Sequence, residues 1–233
     1  DGNSLAHLRL PQVTTCEHVV TATPKRIYSN AHAYHINTPA LNSDGESFLS
    51  CDDLRLNLWK FDSAMRCFTL VDIKPPNMDS LSQVMTSADF HPNNCNTFIF
   101  STSHGSVHMG DMRAAALCDG SMKTFEEPED PNKHSFISEI IASISNANFS
   151  PDGRYIVTRD YLTVRVWDVN MESRPLKTFN VQERLRPRLI ELYEKECIFD
   201  KFEASMSYDG STIVTGTYQN QFHMLSMDDS RPS

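Results

Sequence analysis

Apolar and polar residues alternate along short stretches of this chain, and turn residues separate the stretches. In residues 162–167, Leu-Thr-Val-Arg-Val-Trp, the period is two, so successive side chains face opposite sides of a strand. Asp-Gly pairs precede several such stretches and predict tight reversals of the chain; they lie at residues 44–45, 152–153 and 209–210. The pattern therefore predicts β-hairpins along most of the chain.

The hairpins recur as four similar units. Each unit has a turn, a β-rich strand, a polar turn and a second strand that closes on Trp or a residue in its place, and we predict closing positions at Trp59, Met109, Trp167 and Met224. One hairpin cannot bury its own faces in water, so we expect the units to stack as the blades of a propeller. A β-sandwich also has alternating strands, but its strands seldom group into four-part units at this period.

The closing positions are more widely spaced than in a minimal WD40 blade. They lie roughly 50 to 58 residues apart, against about 40–45 for that blade. We expect the extra residues in the connections, and we predict short helices at residues 79–85 and 187–195. Insertions of this kind usually decorate a binding face. Four units are too few for the usual closed ring unless the chain is a fragment or a rare four-bladed form.

Composition and charge limit the possible partners. Of the 233 residues, 39% are hydrophobic and 22% are charged, as in ordinary soluble proteins. No apolar run approaches the roughly 20 residues of a membrane helix, and the first residues lack the features of a signal peptide. The formal net charge of −9 disfavours a nucleic-acid partner and suits basic protein surfaces. We expect a cytoplasmic protein, also present in the nucleus, with no membrane and no nucleic-acid partner.

No catalytic or metal-binding pattern stands out. The six cysteines form no C-x-x-C pair, which favours reduced and mostly buried thiols. His32 and His35 are three residues apart but match no zinc motif, and we interpret them as framing the start of a strand. Nucleotide-binding loops and nucleophile elbows are absent from the sequence, which has only eight glycines. We therefore predict no metal, no cofactor and no enzymatic activity.

Several segments between the strands are more specific than the repeat, and they resemble one known family. The segments are RIYSNAHAYHIN at 26–37, DDLRLNLW at 52–59, VDIKPPNM at 71–78, FHPN at 90–93, FEEPED at 125–130, SEIIASIS at 138–145, RDY at 159–161 and IFDKFE at 198–203. In this order they resemble the WD40 regulatory B subunit, the 55-kilodalton class, of protein phosphatase 2A. The resemblance extends from about Leu8 to Leu225.

The resemblance implies an all-β, seven-bladed WD40 propeller. Such a regulator joins a scaffold subunit and a catalytic subunit, and it selects phosphoprotein substrates for a serine/threonine phosphatase. Members of the family are about twice as long, so we expect an internal fragment with about four of seven blades. Residues 1–25 would end an inserted hairpin and its linker, residues 26–225 would hold the four blades, and residues 226–233 would form a polar tail. Open sheet edges would leave this polypeptide marginally stable and prone to pair with itself.

The resemblance also implies two binding surfaces. Leu8, Arg9 and Leu10 would contact the scaffold subunit from the returning strand of the hairpin. Asp53, Leu81, Tyr34 and His35 would lie on the surface that receives substrates. Asp53 could pair with a substrate Arg or Lys, or it could cap an Asx-type turn between two strands. Leu81 could anchor an apolar group of a partner, or it could pack an inserted helix onto the blade.

Other charged residues favour a structural interpretation. The acidic run at 126–131 could attract basic residues of a substrate, but such runs are more often solvated loops. For Arg159, Asp160 and Arg165 we expect roles inside the third blade. Two further functions stay open at this point. A general WD40 interaction scaffold would bind partners without a phosphatase, and an enzyme carried on a propeller would need clustered titratable groups in the central channel.

Overall fold

The alternating stretches form four antiparallel sheets in the computed structural model, which describes residues 21–118, 120, 122–127 and 135–228. Within each sheet the strands follow one another in chain order. The first sheet holds β1 (Thr38–Leu41), β2 (Ser47–Cys51), β3 (Arg55–Lys60) and β4 (Ser63–Asp72). The second holds β5 (Met85–Phe90), β6 (Thr97–Thr102), β7 (Val107–Asp111) and β8 (Lys123–Phe125). The third holds β9 (Asn146–Phe149), β10 (Tyr155–Arg159), β11 (Thr163–Asp168) and β12 (Lys177–Asn180), and the fourth holds β13 (Ala204–Met206), β14 (Thr212–Gly216) and β15 (Phe222–Ser226).

Three separate apolar cores lie between consecutive sheets. Because side chains alternate along a strand, one strand supplies two cores. In β6, Phe98 and Phe100 pack against the first sheet, whereas Ile99 packs against the third. In β10, Ile156 belongs to the core shared with the second sheet and Val157 to the core shared with the fourth. Each inner sheet is thus buried on both faces, which is the stacking of propeller blades, and the predicted WD40 propeller fold is confirmed.

The blades also contact one another through their first strands. β1 and β5 lie side by side in space, as do β5 and β9, and β13 follows next to β9. This arrangement places the first strand of every blade on the same side of the stack. Each four-stranded sheet therefore runs from that side to the outer strand of the blade, and the connections between strands alternate between two opposite ends of the blade.

Two of the four predicted closing positions are wrong by one residue. In the first and third blades, Trp59 pairs with Phe48 and Trp167 pairs with Ile156, as expected for the position next to the strand end. In the second blade the corresponding partner of Phe98 is Gly110, not Met109. In the fourth blade the partner of Ile213 is Leu225, and Met224 is 68% exposed.

The two predicted helices differ from the sequence pattern in opposite ways: the first is shorter than expected, and the second begins earlier. A 3-10 helix spans Met78–Ser80, with Asn77 as its N-cap, and β5 has already begun at Met85. A second 3-10 helix spans Glu183–Arg188 and continues into the α-helix α2 at Leu189–Glu194. The pattern did not predict α1, which spans Phe136–Ala142 and carries a capping box at Ser135.

The fourth blade leaves one apolar face in solvent. Val214 and Met224 are paired across β14 and β15, and Phe222 lies two residues from Met224; all three side chains are 39–68% exposed. No helix of the described residues is long and apolar enough to cross a membrane. The predicted scaffold contacts Leu8, Arg9 and Leu10 lie outside the described residues.

Candidate functional site

The connection between β2 and β3 forms a tight turn at one end of the first blade. Asp52 is buried, and its Oδ1 accepts hydrogen bonds from the backbone N–H groups of Leu54, at 2.8 Å, and Arg55, at 2.7 Å. These bonds make an Asx-type turn. The turn-capping role that the sequence allowed for Asp53 therefore belongs to its neighbour Asp52.

A chain of side-chain hydrogen bonds fixes this turn to the blade interior. Asp52 Oδ2 lies 2.8 Å from His32 Nδ1, and His32 Nε2 lies 2.5 Å from Ser50 Oγ. The indole Nε1 of Trp59 donates to Ser50 Oγ at 2.7 Å. With the imidazole proton on Nδ1, donors run in one direction from Trp59 through Ser50 and His32 to Asp52. His32 thus links the segment before β1 to the interior of the blade, rather than only framing a strand.

Asp53 is placed differently from Asp52. Its side chain is half-buried, and its Oδ1 accepts a hydrogen bond from Asn37 Nδ2 at 3.0 Å. The same amide nitrogen donates to the carbonyl oxygen of Met85 at 3.1 Å, and the Asp53 carbonyl accepts from the Met85 N–H at 2.8 Å. Asn37 and Met85 therefore hold Asp53 from two sides, while the turn itself makes no demand on its carboxylate.

The other predicted substrate residues lie around this turn. Tyr34 is 43% exposed and lines a small pocket with Asp52, Leu54 and Arg55. His35 is exposed and lies two residues before Asn37, which holds Asp53. Leu81 caps the 3-10 helix at its C-terminal end and is half-buried. Leu81 precedes Met85, which is hydrogen-bonded to Asp53, by four residues.

The third blade repeats the turn with another set of residues. Asp160 Oδ1 accepts the N–H groups of Leu162, at 2.8 Å, and Thr163, at 2.7 Å. Its Oδ2 accepts from Arg165, and Arg165 also contacts Glu127 Oε2 at 3.2 Å. The predicted structural role of Asp160 and Arg165 is confirmed. The described part of the acidic run is therefore attached to the third blade through Glu127.

Arg159 also has a structural role, in the contact between the third and fourth blades. The side chain is fully buried, and its Nη1 donates to the carbonyl oxygens of Asp160, at 2.7 Å, and Thr163, at 3.1 Å. The guanidinium lies over the ring of Phe202, 5.4 Å from its centroid. Burial lowers the pKa of Arg159, the effect being partly opposed by the nearby Asp160.

The inserted helices form a second exposed surface, which the sequence pattern did not predict. Tyr193 on α2 packs edge to face against Phe136 on α1, with centroids 5.3 Å apart, and against Phe199, at 6.1 Å. Phe136 is 61% exposed and Phe199 is 58% exposed. The signal was present in the aromatic residues of both connections, but only the fold brings them together. Exposed aromatic rings of this kind suit contact with an apolar partner segment.

Within residues 21–118, 120, 122–127 and 135–228, no group of three or more His, Cys, Asp or Glu side chains is arranged to hold a metal ion. Burial raises the pKa of the Cys51 thiol to about 12, which keeps it protonated and unreactive. The residues around Asp53 form a surface with charged, aromatic and apolar components.

Two curated proteins match this chain over nearly its whole length. The chain is 54% identical over 216 residues, 93% of its length, to the serine/threonine-protein phosphatase 2A regulatory subunit phr2AB of Dictyostelium discoideum. It is 53% identical over 231 residues, 99% of its length, to the beta isoform of the 55 kDa regulatory B subunit of serine/threonine-protein phosphatase 2A from Carassius auratus. The matches cover 45% and 52% of those proteins, so the chain spans about half the length of the curated relatives it matches. No protein-family model matches the chain.

The names of both relatives describe regulatory subunits rather than catalytic ones, which agrees with the prediction that the chain is not an enzyme. Their identity to this chain, above half of all aligned positions, includes the blades and the connections that carried the family resemblance. Over nearly its whole length the chain is therefore similar to 55-kilodalton regulatory B subunits of protein phosphatase 2A, of which it spans about half.

Proposed function

We propose that the chain serves protein phosphatase 2A by binding its scaffold and catalytic subunits and by bringing phosphoprotein substrates to them. In this role the end of the first blade around Asp53 receives a basic segment of the substrate. The chain itself performs no chemistry, and it acts in the cytoplasm and the nucleus.

The position of the Asp53 carboxylate is the observation that carries this proposal. Asp52 alone caps the turn, so the blade does not require a second carboxylate there. Asp53 has one side-chain hydrogen-bond partner, Asn37, and is partly open to solvent. A carboxylate has about four acceptor sites on its two oxygens, so Asp53 keeps capacity for a charged donor. An incoming Arg or Lys would satisfy it.

The hydrogen bonds that hold the turn with Asp53 in place also support a binding role. The chain from Trp59 to Asp52 fixes the turn from within, and Asn37 with Met85 fixes it from the side. A binding group held in this manner loses little conformational freedom when a partner arrives, which favours specific recognition. A general interaction scaffold would share this rigidity, but the similarity to phosphatase 2A regulatory subunits favours phosphatase regulation.

The proposal is tested by charge reversal at Asp53. The full chain with Asp53→Lys is compared with the wild type for co-purification with the scaffold and catalytic subunits, and for dephosphorylation of a bound phosphoprotein. We expect the complex to form normally and the kcat/KM for the substrate to fall about tenfold, the equivalent of about 1.4 kcal/mol. KM should account for most of the change, because the catalytic subunit is untouched.

Asp62→Lys is the matched control, because the connection between β3 and β4 lies at the opposite end of the same blade and Asp62 is exposed. It changes the net charge equally and should leave both readouts unchanged. Normal dephosphorylation by the Asp53→Lys complex would show that Asp53 is not a substrate contact. Failure of the wild-type chain to associate with either subunit would contradict the regulatory role itself.

A further inference from the structure

We propose that the pocket beside Asp53 binds an anionic side chain, a carboxylate or a phosphate, of the same segment that brings a basic residue to Asp53. The proposal rests on the proposed function and adds a second charge requirement to its substrates. Tyr34, Leu54, Arg55 and Lys74 line the pocket together with Ala33 and Asp52.

The acidic and basic side chains around the pocket differ in the hydrogen bonds that they already make. Asp52 is buried, and three of the roughly four acceptor positions of its carboxylate are used: Oδ1 accepts two backbone N–H groups and Oδ2 contacts His32. The nearby Asp72 is held by two hydrogen bonds: Oδ2 accepts from Arg55 Nε and Oδ1 from the backbone N–H of Lys74, both at 3.0 Å. Both carboxylates are thus fixed in place by bonds within the blade.

The basic groups keep free donors. Among the described residues, the Lys74 ammonium and the terminal nitrogens of Arg55 have no hydrogen-bond partner, and the Tyr34 hydroxyl has none either. Arg55 is held in place because its Nε is bound to Asp72, so its two terminal nitrogens are already oriented for an acceptor. Residues with three kinds of donor thus line one small pocket.

The size of the pocket fits one anionic group. Its volume is about 40 Å³, and one water needs about 10–15 Å³. A carboxylate, or the outer oxygens of a phosphate, has the dimensions of a few waters. Leu54 supplies a buried apolar wall on one side of the pocket.

The position of Asp53 next to the pocket determines the spacing of the two charged residues that we expect in the partner. Asp53 lies between Asp52 and Leu54, both of which line the pocket, so a basic and an acidic side chain of one partner segment can reach the two sites together. On a helix, side chains three or four residues apart are about 5–6 Å from each other. The partner that we propose is a helix with an Arg or Lys and an anionic residue at that spacing.

The test uses synthetic 16-residue helical peptides and the purified full chain without the catalytic subunit, so that a phosphate is not removed. Each peptide has one Arg and, three or four residues to either side, Glu, phosphoserine or Gln; affinity is measured by fluorescence polarisation. At the best spacing we expect the Glu peptide to bind about two- to fivefold more tightly than the Gln peptide. Phosphoserine should bind at least as tightly as Glu, because its charge is about −1.5 to −2; tighter binding assigns the pocket to phosphate and equal binding assigns it to carboxylate.

Substitution of Lys74 identifies the pocket. Lys74→Gln should remove the preference for Glu, and Lys74→Glu should reverse it in favour of a peptide with Lys at that position. Lys60→Gln, at the far end of β3 from Arg55 and equally exposed, should keep the wild-type preference. Equal binding of the Glu, phosphoserine and Gln peptides at every spacing would overturn the proposal, as would a preference that survives both Lys74 variants. Replacement of the peptide Arg by Gln tests Asp53 separately and should weaken binding. If this replacement leaves the affinity unchanged while the preference for Glu remains, the result contradicts the proposed function and not the anion pocket.

Discussion

The imidazole of His32 and the carboxylate of Asp52 are joined by a 2.8 Å contact between Nδ1 and Oδ2 inside the first blade, although 20 residues separate them in sequence. The Asp52 side chain is 1% exposed and that of His32 is 8% exposed. A segment that precedes the blade is thereby connected to the turn that carries Asp53. Stability of the blade and geometry of the proposed substrate surface depend on the same hydrogen bond.

Replacement of His32 should therefore destabilise the chain. In His32→Leu, Asp52 and Ser50 each lose a buried partner, and we expect the free energy of unfolding to fall by about 2–3 kcal/mol. Urea denaturation followed by circular dichroism measures the change. His35→Leu is the control because His35 is exposed, and it should change the free energy by less than about 0.5 kcal/mol. Equal effects of the two variants would show that the hydrogen-bonded chain does not stabilise the blade.

Gly110 should not tolerate a side chain. A Cβ atom at this position would lie 2.6 Å from Cζ of Phe98, which is fully buried. We expect Gly110→Ala to lower the free energy of unfolding by about 1–3 kcal/mol, since an added methyl group overpacks the core. Gly120→Ala is the control, because no atom of the described residues lies within 4 Å of a Cβ built there.

A second substitution separates overpacking from a general intolerance of Gly110. Phe98→Leu removes the ring that the new methyl group would meet, so Gly110→Ala should destabilise the Phe98→Leu background less than it destabilises the wild type. A double-mutant cycle in urea measures this coupling. Additive effects of the two substitutions would contradict the steric explanation.

These contacts show why the repeat was predictable from sequence and its details were not. Period-two alternation and Asp-Gly turns mark strands wherever they occur, so the blades were visible. In the second blade, however, the bulk that Trp59 and Trp167 supply elsewhere comes from Phe98 on the opposite strand. Pattern alone favoured the bulky neighbour Met109, because strand register depends on partners that a linear sequence does not show.

For the same reason, the sequence could predict only part of the candidate site. Asp52 and Asp53 are adjacent and chemically identical, and only the direction of each side chain separates a turn cap from a half-buried carboxylate beside Asn37. Family resemblance marked Tyr34, His35, Asp53 and Leu81 as a surface, and their role in binding stays a prediction. The pocket with Lys74 required the fold, because β3 and β4 must pair before Arg55 meets Asp72.

Asp89 should make stability depend on pH. Its oxygens accept the N–H groups of Phe149 in the third blade and of Phe90, both at 2.9 Å. Burial raises the pKa of Asp89 to about 6 from an ordinary 3.8, although both hydrogen bonds act to lower it. The folded state therefore holds the proton more tightly than the unfolded state, and the associated stabilisation is complete below about pH 4 and is lost as pH rises through about 6.

The variant Asp89→Asn removes this titration. From pH 4 to pH 7, the unfolding free energy of the wild type should fall by about 2–3 kcal/mol relative to that of Asp89→Asn. Urea titrations at several pH values measure it. Asp111→Asn is the control: hydrogen bonds from Arg113 lower the pKa of Asp111 to about 2, so its titration is finished below this window. A constant difference for Asp89→Asn across the window would contradict the raised pKa.

The cysteines should differ sharply in reactivity. The sequence predicted reduced and mostly buried thiols, but of the five described cysteines only Cys51 and Cys118 are buried, whereas Cys67 and Cys197 are exposed. The pKa of Cys51 is raised to about 12, chiefly by burial and further by the neighbouring Asp52 and Asp53. Since the thiolate is the reactive form, Cys51 should resist alkylation in the folded chain.

Brief treatment with iodoacetamide at pH 8, followed by mass spectrometry of peptides, measures this difference. We expect Cys67 and Cys197 to be modified at least tenfold faster than Cys51, a ratio that disappears in 8 M urea because the unfolded thiols have similar pKa values. Cys67→Ser serves as the control and should leave the modification of Cys51 unchanged. Rapid labelling of Cys51 in the native chain would mean that the interface between the first two blades opens on the timescale of the experiment, because Cys51 belongs to the core that joins those blades.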